Sequence, residues 1–171
     1  MTKNNIFTQV DSKLIGDWYT EVNSKSAVIR IISDGQYLAT QHYPSVVLNL
    51  NHLTLPGITS DLFVRVNGLR NEFIGEWKHV NNIDHLNFKN DQTFSWNSGN
   101  GRIDTGLFSS NKNPQHLTLY TKKASLTTNG NLLTQTKLDN STFKYYYEVR
   151  QNRVLLFNKH NGVLEQSLSR I

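Results

Sequence analysis

The chain contains no cysteine, which removes disulfide scaffolds, thiolate metal sites, iron–sulfur clusters and cysteine nucleophiles together. It holds only three prolines, and no Pro- or Ser-rich stretch interrupts it as a linker would. No apolar run approaches the ~18 residues of a membrane-spanning helix. The opening Met-Thr-Lys-Asn-Asn leads into no apolar h-region, so a cleaved export signal is not expected and a cytoplasmic location is. Charge is sparse: 18 Lys and Arg against 13 Asp and Glu give +5, too small an excess to call for nucleic acid. The six histidines (42, 52, 79, 85, 116 and 160) show no His-x-x-x-His spacing, so no metal site is expected. There is no Gly-x-Ser-x-Gly elbow and no phosphate-cradling glycine loop. Helical periodicity is missing too, apart from a short turn allowed between Asn4 and Lys13.

What is present is alternation. Leu62, Val64 and Val66 share one parity, and so do Phe143, Tyr145, Tyr147 and Val149, with charged residues between. That is the pattern of strands buried on one face. Asp34-Gly35, Asn100-Gly101, Asn129-Gly130 and Asn161-Gly162 supply hairpin turns, and Asn81-Asn82 reads as another. The alternation predicts strands near 14–22, 27–33, 36–43, 46–55, 61–67, 73–80, 83–89, 92–97, 101–109, 115–122, 131–138, 142–150, 153–158 and 163–170. An antiparallel meander this long must curl to avoid open edges, so an all-β, closed, up-and-down barrel is predicted. With 37% hydrophobic residues the chain can build a core, and one domain over 1–171 is expected.

An internal echo points to duplication. Leu14-Ile15-Gly16-Asp17-Trp18 recurs as Phe73-Ile74-Gly75-Glu76-Trp77, and each copy leads to a polar turn and an aromatic. If this is a repeat, its units would be 1–72 and 73–171.

Gly16-Asp17-Trp18-Tyr19 resembles the opening signature of the lipocalin and wider calycin superfamily, and Gly75-Glu76-Trp77 repeats it. The resemblance implies a barrel whose tryptophan closes one end under a basic residue of the last strand, here Arg170, by a cation–π contact. Trp18, Trp77 and Arg170 are therefore the expected closure residues, with Arg170 placed by preference on Trp77. The helix and disulfides of classical lipocalins are missing, so the likeness is to an intracellular bacterial barrel. It implies binding of a small, largely apolar or aromatic ligand in the barrel interior, with no cofactor. The alternative is a cofactor-free isomerase, cyclase or chromophore-lyase on the same barrel.

Strand parity supplies the candidate chemistry. Folding back at Asn81-Asn82 pairs His79 with Asp84, Trp77 with Leu86 and Gly75 with Phe88, all facing inward. A His79–Asp84 rim dyad could act as a general base, with inward Tyr145 and Tyr147 as acid or orienting groups. Tyr37, Tyr43, Phe94, Trp96 and Phe143 would form the aromatic wall, and Arg102 would meet an anionic head. Arg65 and Arg30 are read as outward and without a role. The expected partner is the small ligand, with membrane and nucleic acid set aside and a homodimer allowed. Whether the interior is open or filled by side chains separates binder, enzyme and packed structural barrel.

Overall fold

The structure is a computed structural model that describes residues 10–22, 25–57 and 61–171. It is all-β, a lipocalin-like antiparallel barrel fold with a duplicated closure motif. Its strands are β1 (Gly16–Val22), β2 (Lys25–Ile31), β3 (Gln36–Tyr43), β4 (Val47–Asn49), β5 (His52–Leu55), β6 (Asp61–Asn67), β7 (Gly75–His79) and β8 (His85–Phe88). They continue as β9 (Thr93–Asn97), β10 (Ile103–Lys112), β11 (Gln115–Asn129), β12 (Leu132–Lys137), β13 (Thr142–Arg150), β14 (Arg153–Asn158) and β15 (Leu164–Arg170). One 3-10 turn, Ser12–Leu14, precedes β1; residues 4–9 of the expected helical turn lie outside the described residues.

Two compact units are present, 1–39 with 123–171, and 40–122. The expected division, one domain with repeats at 1–72 and 73–171, differs from this. The first unit uses both ends of the chain because β15 pairs with β1, Trp18 facing Arg170. Its strands run β12-β13-β14-β15-β1-β2-β3-β11, and β11 pairs again with β12 to close a ring of eight. The second runs β11-β10-β9-β8-β7-β6-β5-β4. Its outer strand β4 is capped by one side chain: the Gln115 amide accepts from Leu48 N–H at 3.0 Å and donates to Leu48 carbonyl at 3.1 Å. That amide satisfies the edge as a neighbouring strand would.

The alternation placed most strands within two residues. The predicted 46–55 strand is instead the hairpin β4–β5, because Leu50 takes a left-handed φ of 45° and turns the chain. Strand β11 outruns its predicted end at 122 because it serves both units. Each unit has its own core. Trp18, Ile29, Ile31, Leu126, Val154 and Leu168 belong to the first; Leu53, Phe63, Trp77, Leu86, Phe88 and Phe94 belong to the second.

Candidate functional site

The echo in sequence is an echo in hydrogen bonds. Trp18 Nε1–H donates to the Leu14 carbonyl at 2.8 Å, and Trp77 Nε1–H to the Phe73 carbonyl at 2.9 Å. Arg170 lies over Trp18 and Arg65 over Trp77, each 4.1 Å from the ring centroid. Arg170 donates to the Ile15 and Lys13 carbonyls at 3.0 and 2.9 Å. Arg65 donates to the equivalent Ile74 and Glu72 carbonyls at 3.2 and 2.5 Å. The glycine of each motif is required: Gly16 has φ 136° and Gly75 has φ 135°, and a Cβ on Gly16 would collide with the Arg170 guanidinium.

Arg170 therefore closes on Trp18 rather than Trp77. Arg65, read from sequence as an outward residue without a role, is the closure arginine of the second unit. It stands twelve residues before Trp77, on the strand paired with β7. A second Gly-x-Trp calling for a second arginine was the available signal.

The correspondence extends further. At the β2–β3 turn Gly35 N–H donates to Ile32 carbonyl, and Ile32 N–H to Gln36 carbonyl; at the β8–β9 turn Gln92 donates to Lys89, and Lys89 to Thr93. Leu126 N–H then donates to Gly35 carbonyl, as Phe108 N–H does to Gln92 carbonyl. So β10 of the second unit stands for the end of β11 in the first, with Phe108 at the place of Leu126 and Ser110 at that of Thr128.

Against this frame the expected site residues scatter. The β7–β8 register is as predicted, Trp77 opposite Leu86 and Gly75 opposite Phe88, and His79 N–H donates to Asp84 carbonyl. The side chains do not form the dyad. Asp84 Oδ2 accepts from Trp96 Nε1–H at 3.2 Å. His79 is buried against Phe63, ring centroids 5.1 Å apart, and its Nε2 lies 3.5 Å from Asp61 Oδ1. Asn81 N–H donates to His79 Nδ1 at 3.1 Å. That contact fixes the tautomer with its hydrogen on Nε2 and occupies the basic lone pair. Sequence parity fixes which face a side chain takes but not which carboxylate it meets, and Asp61 was missed for that reason.

Tyr147 is buried, and its hydroxyl donates to Asp11 Oδ2 at 2.8 Å. Burial first, then that carboxylate, pushes its pKa up to about 12. Tyr145 is half-buried, and burial chiefly raises its pKa, Glu165 adding to the effect. Tyr37 lines a cavity in the first unit with Gln166 and Leu133. Phe94 and Tyr43 are core residues of the second unit, and Trp96 packs against that core. Burial, aided by the charge of Asp61, raises Tyr43 to about 12. Phe143 is exposed at the strand's start under Lys137, whose ammonium sits 4.4 Å from the ring centroid. Arg102 pairs on the surface with Asp104 at 3.1 Å. Neither of these two joins an inward wall: Phe143 has the predicted parity but lies at the strand's start, and Arg102 precedes its strand.

One cavity of the first unit, lined by Leu14, Tyr37, Leu126 and Leu133 among others, is about 10 Å³, room for roughly one water. The second unit has an open cleft of about 450 Å³, within the range of small-ligand sites. Its lining includes Lys89, Asn90, Gln92 and Ser109 to Lys112, together with Phe73 and Phe108, which are only 2% and 6% exposed. Lys112 Nζ forms an ion pair with Glu72 across it. Among the described residues no helix is long and apolar enough to cross a membrane.

The fold is an antiparallel β-barrel fold in which each of the two units carries a Gly-x-Trp–arginine collar. No protein-family model, curated protein or solved structure matches the chain.

Proposed function

We propose that this is a small-ligand-binding protein of the lipocalin-like kind, and that its ligand sits in the cleft of the second unit rather than along a barrel axis. The observation that carries this is the contrast between about 450 Å³ in that cleft and about 10 Å³ in the first-unit cavity lined by Tyr37. Phe73 and Phe108 show only narrow edges to the cleft, while the exposed Lys89 and Lys112 suit an acidic head. Binding is favoured over acid–base catalysis because His79, the best-placed base by sequence, has its lone pair engaged by Asn81 N–H. No cofactor enters this reading.

The test is a titration of the full ¹⁵N-labelled chain with 2-naphthoate, followed by amide shifts. Saturable shifts at Gln92, Phe108, Ser110 and Lys112 are expected, with Tyr37, Leu126 and Leu133 unmoved. Shifts confined to the latter three, or none at all, overturn the assignment.

A further inference from the structure

The first unit already contains an occupant at the place where the second has its cleft. Val10 and Asp11 lead into the 3-10 turn before β1, and Val10 is 4% exposed within that unit's core. Asp11 N–H donates to Thr128 Oγ1 at 2.8 Å. Its carboxylate accepts from the Tyr147 hydroxyl at 2.8 Å and from Lys13 N–H at 3.0 Å. An apolar side chain, one backbone N–H and one carboxylate together fill the seat.

By the same spacing that relates Trp18 to Trp77, the counterparts of Val10 and Asp11 are Leu69 and Arg70. They do not fill the second seat. Leu69 is 75% exposed. Only residues 68–74 link β6 to β7, and this short loop is held away: Leu50 N–H donates to Asn71 Oδ1 at 2.7 Å. In the first unit the arginine-bearing strand β15 is remote in sequence from β1, so no short loop joins the two. The cleft keeps Ser110 where Thr128 stands, with Lys112 two residues further on and Lys89 also in its lining.

We infer that the ligand of this cleft carries a peptide unit, an apolar side chain followed by a carboxylate-bearing residue, held as the first unit holds its own Val10–Asp11. This rests on the cleft reading above and names its ligand class: a short acidic peptide or an N-acylated acidic amino acid. Ser110 Oγ accepts the ligand's amide N–H, the apolar side chain meets the narrow exposed edges of Phe73 and Phe108, and Lys112 turns from Glu72 to the carboxylate.

The probe is N-acetyl-Val-Asp-N-methylamide, titrated into the full ¹⁵N-labelled chain, with the Val-Asn analogue as control. Saturable shifts at Gln92, Ser110 and Lys112 are expected. The Val-Asn analogue should bind about tenfold more weakly, since it loses a charge-assisted bond. Ser110→Ala, at an exposed position, should weaken the Val-Asp probe by about fivefold. Equal binding of the two analogues, or no effect of Ser110→Ala, overturns the inference. If 2-naphthoate shifts these amides and the peptide does not, the peptide class falls and the cleft reading stands. If both are silent, both fall. Shifts instead at Asp11 and Thr128 would mean the probe displaces the first unit's own segment, and would also overturn it.

Discussion

Trp18 and Trp77 sit in collars with matching contacts: a carbonyl acceptor four residues back, a left-handed glycine, and an arginine at 4.1 Å. Yet one collar is roofed by Val10 and Asp11 while the other opens into a cleft. Closure chemistry was kept in both units, and what differs is how the chain enters the collar. Where the arginine strand is a short loop away, the entering segment is held off the seat. Where it comes from the far end of the chain, the segment is free to fill the seat. This difference in connectivity accompanies the difference in which copy has a cleft.

The comparison breaks if the collars are not energetically alike. Trp18→Ala and Trp77→Ala should each cost about 3–5 kcal/mol, the cost of emptying a fully buried tryptophan site. Hydrogen exchange should localise the damage: faster exchange in β1, β2 and β15 for the first, and in β6, β7 and β8 for the second. Indistinguishable exchange patterns would deny that these are two separate cores.

The arginines should differ more. Arg65 is partly buried, its Nε finds no partner among the described residues, and burial lowers its pKa, with Glu72 opposing. Arg170 is exposed. Losing charged donors from two carbonyls costs about 1.5–3 kcal/mol, so Arg65→Met should fall within that range and Arg170→Met below it. Urea unfolding of the two variants checks the order, and the reverse order would place the more exposed ring cover in charge of stability.

The roof can be tested by a matched pair. Val10→Ala removes buried methyls and should cost about 1 kcal/mol, whereas Leu69→Ala, at a 75% exposed position, should stay within about 0.5 kcal/mol. Equal costs would mean that Leu69 also covers its collar.

Most of the fold was legible because period-two alternation and Asn-Gly or Asp-Gly turns are local signals. Even the register of Trp77 with Leu86 followed from one two-residue turn. The site was not legible in the same way. Asp84 stands just before β8 and Asp61 begins β6, on the two sides of β7, and parity alone cannot choose between them for His79. The two-unit division was hidden because strands β3 and β11 carry no break in pattern where one unit gives way to the other. Arg65 was misread because Leu62, Val64 and Val66 look like the inward set of β6; the buried residue is Phe63, Leu62 and Val66 are exposed, and Arg65 shares the parity of Phe63 and stands opposite Trp77.

The smallest effect sharpens the comparison through pH. Asp11 is held below its ordinary value of 3.8 by the Lys13 N–H and then by the Tyr147 hydroxyl. A depressed carboxyl contributes stability that is present above its unfolded pKa and lost as pH falls through the folded one. Tyr147→Phe should therefore cost about 1 kcal/mol at pH 7, and the gap to the parent chain should shrink as acid protonates Asp11 below about 3.8. On the alkaline side the sign is opposite. Tyr147 is raised to about 12 in the folded chain, so the unfolded chain ionises first and stability declines from about pH 10 to about 12. The variant should lose part of that decline and keep the part due to Tyr43, which is also raised to about 12. Urea midpoints at pH 3, 7 and 11 measure both limbs. In the second unit Arg70→Ala, at an exposed position, should leave both limbs unchanged. A Tyr147→Phe gap that persists undiminished at pH 3 would separate the hydroxyl from Asp11 and remove the roof's polar anchor from the account.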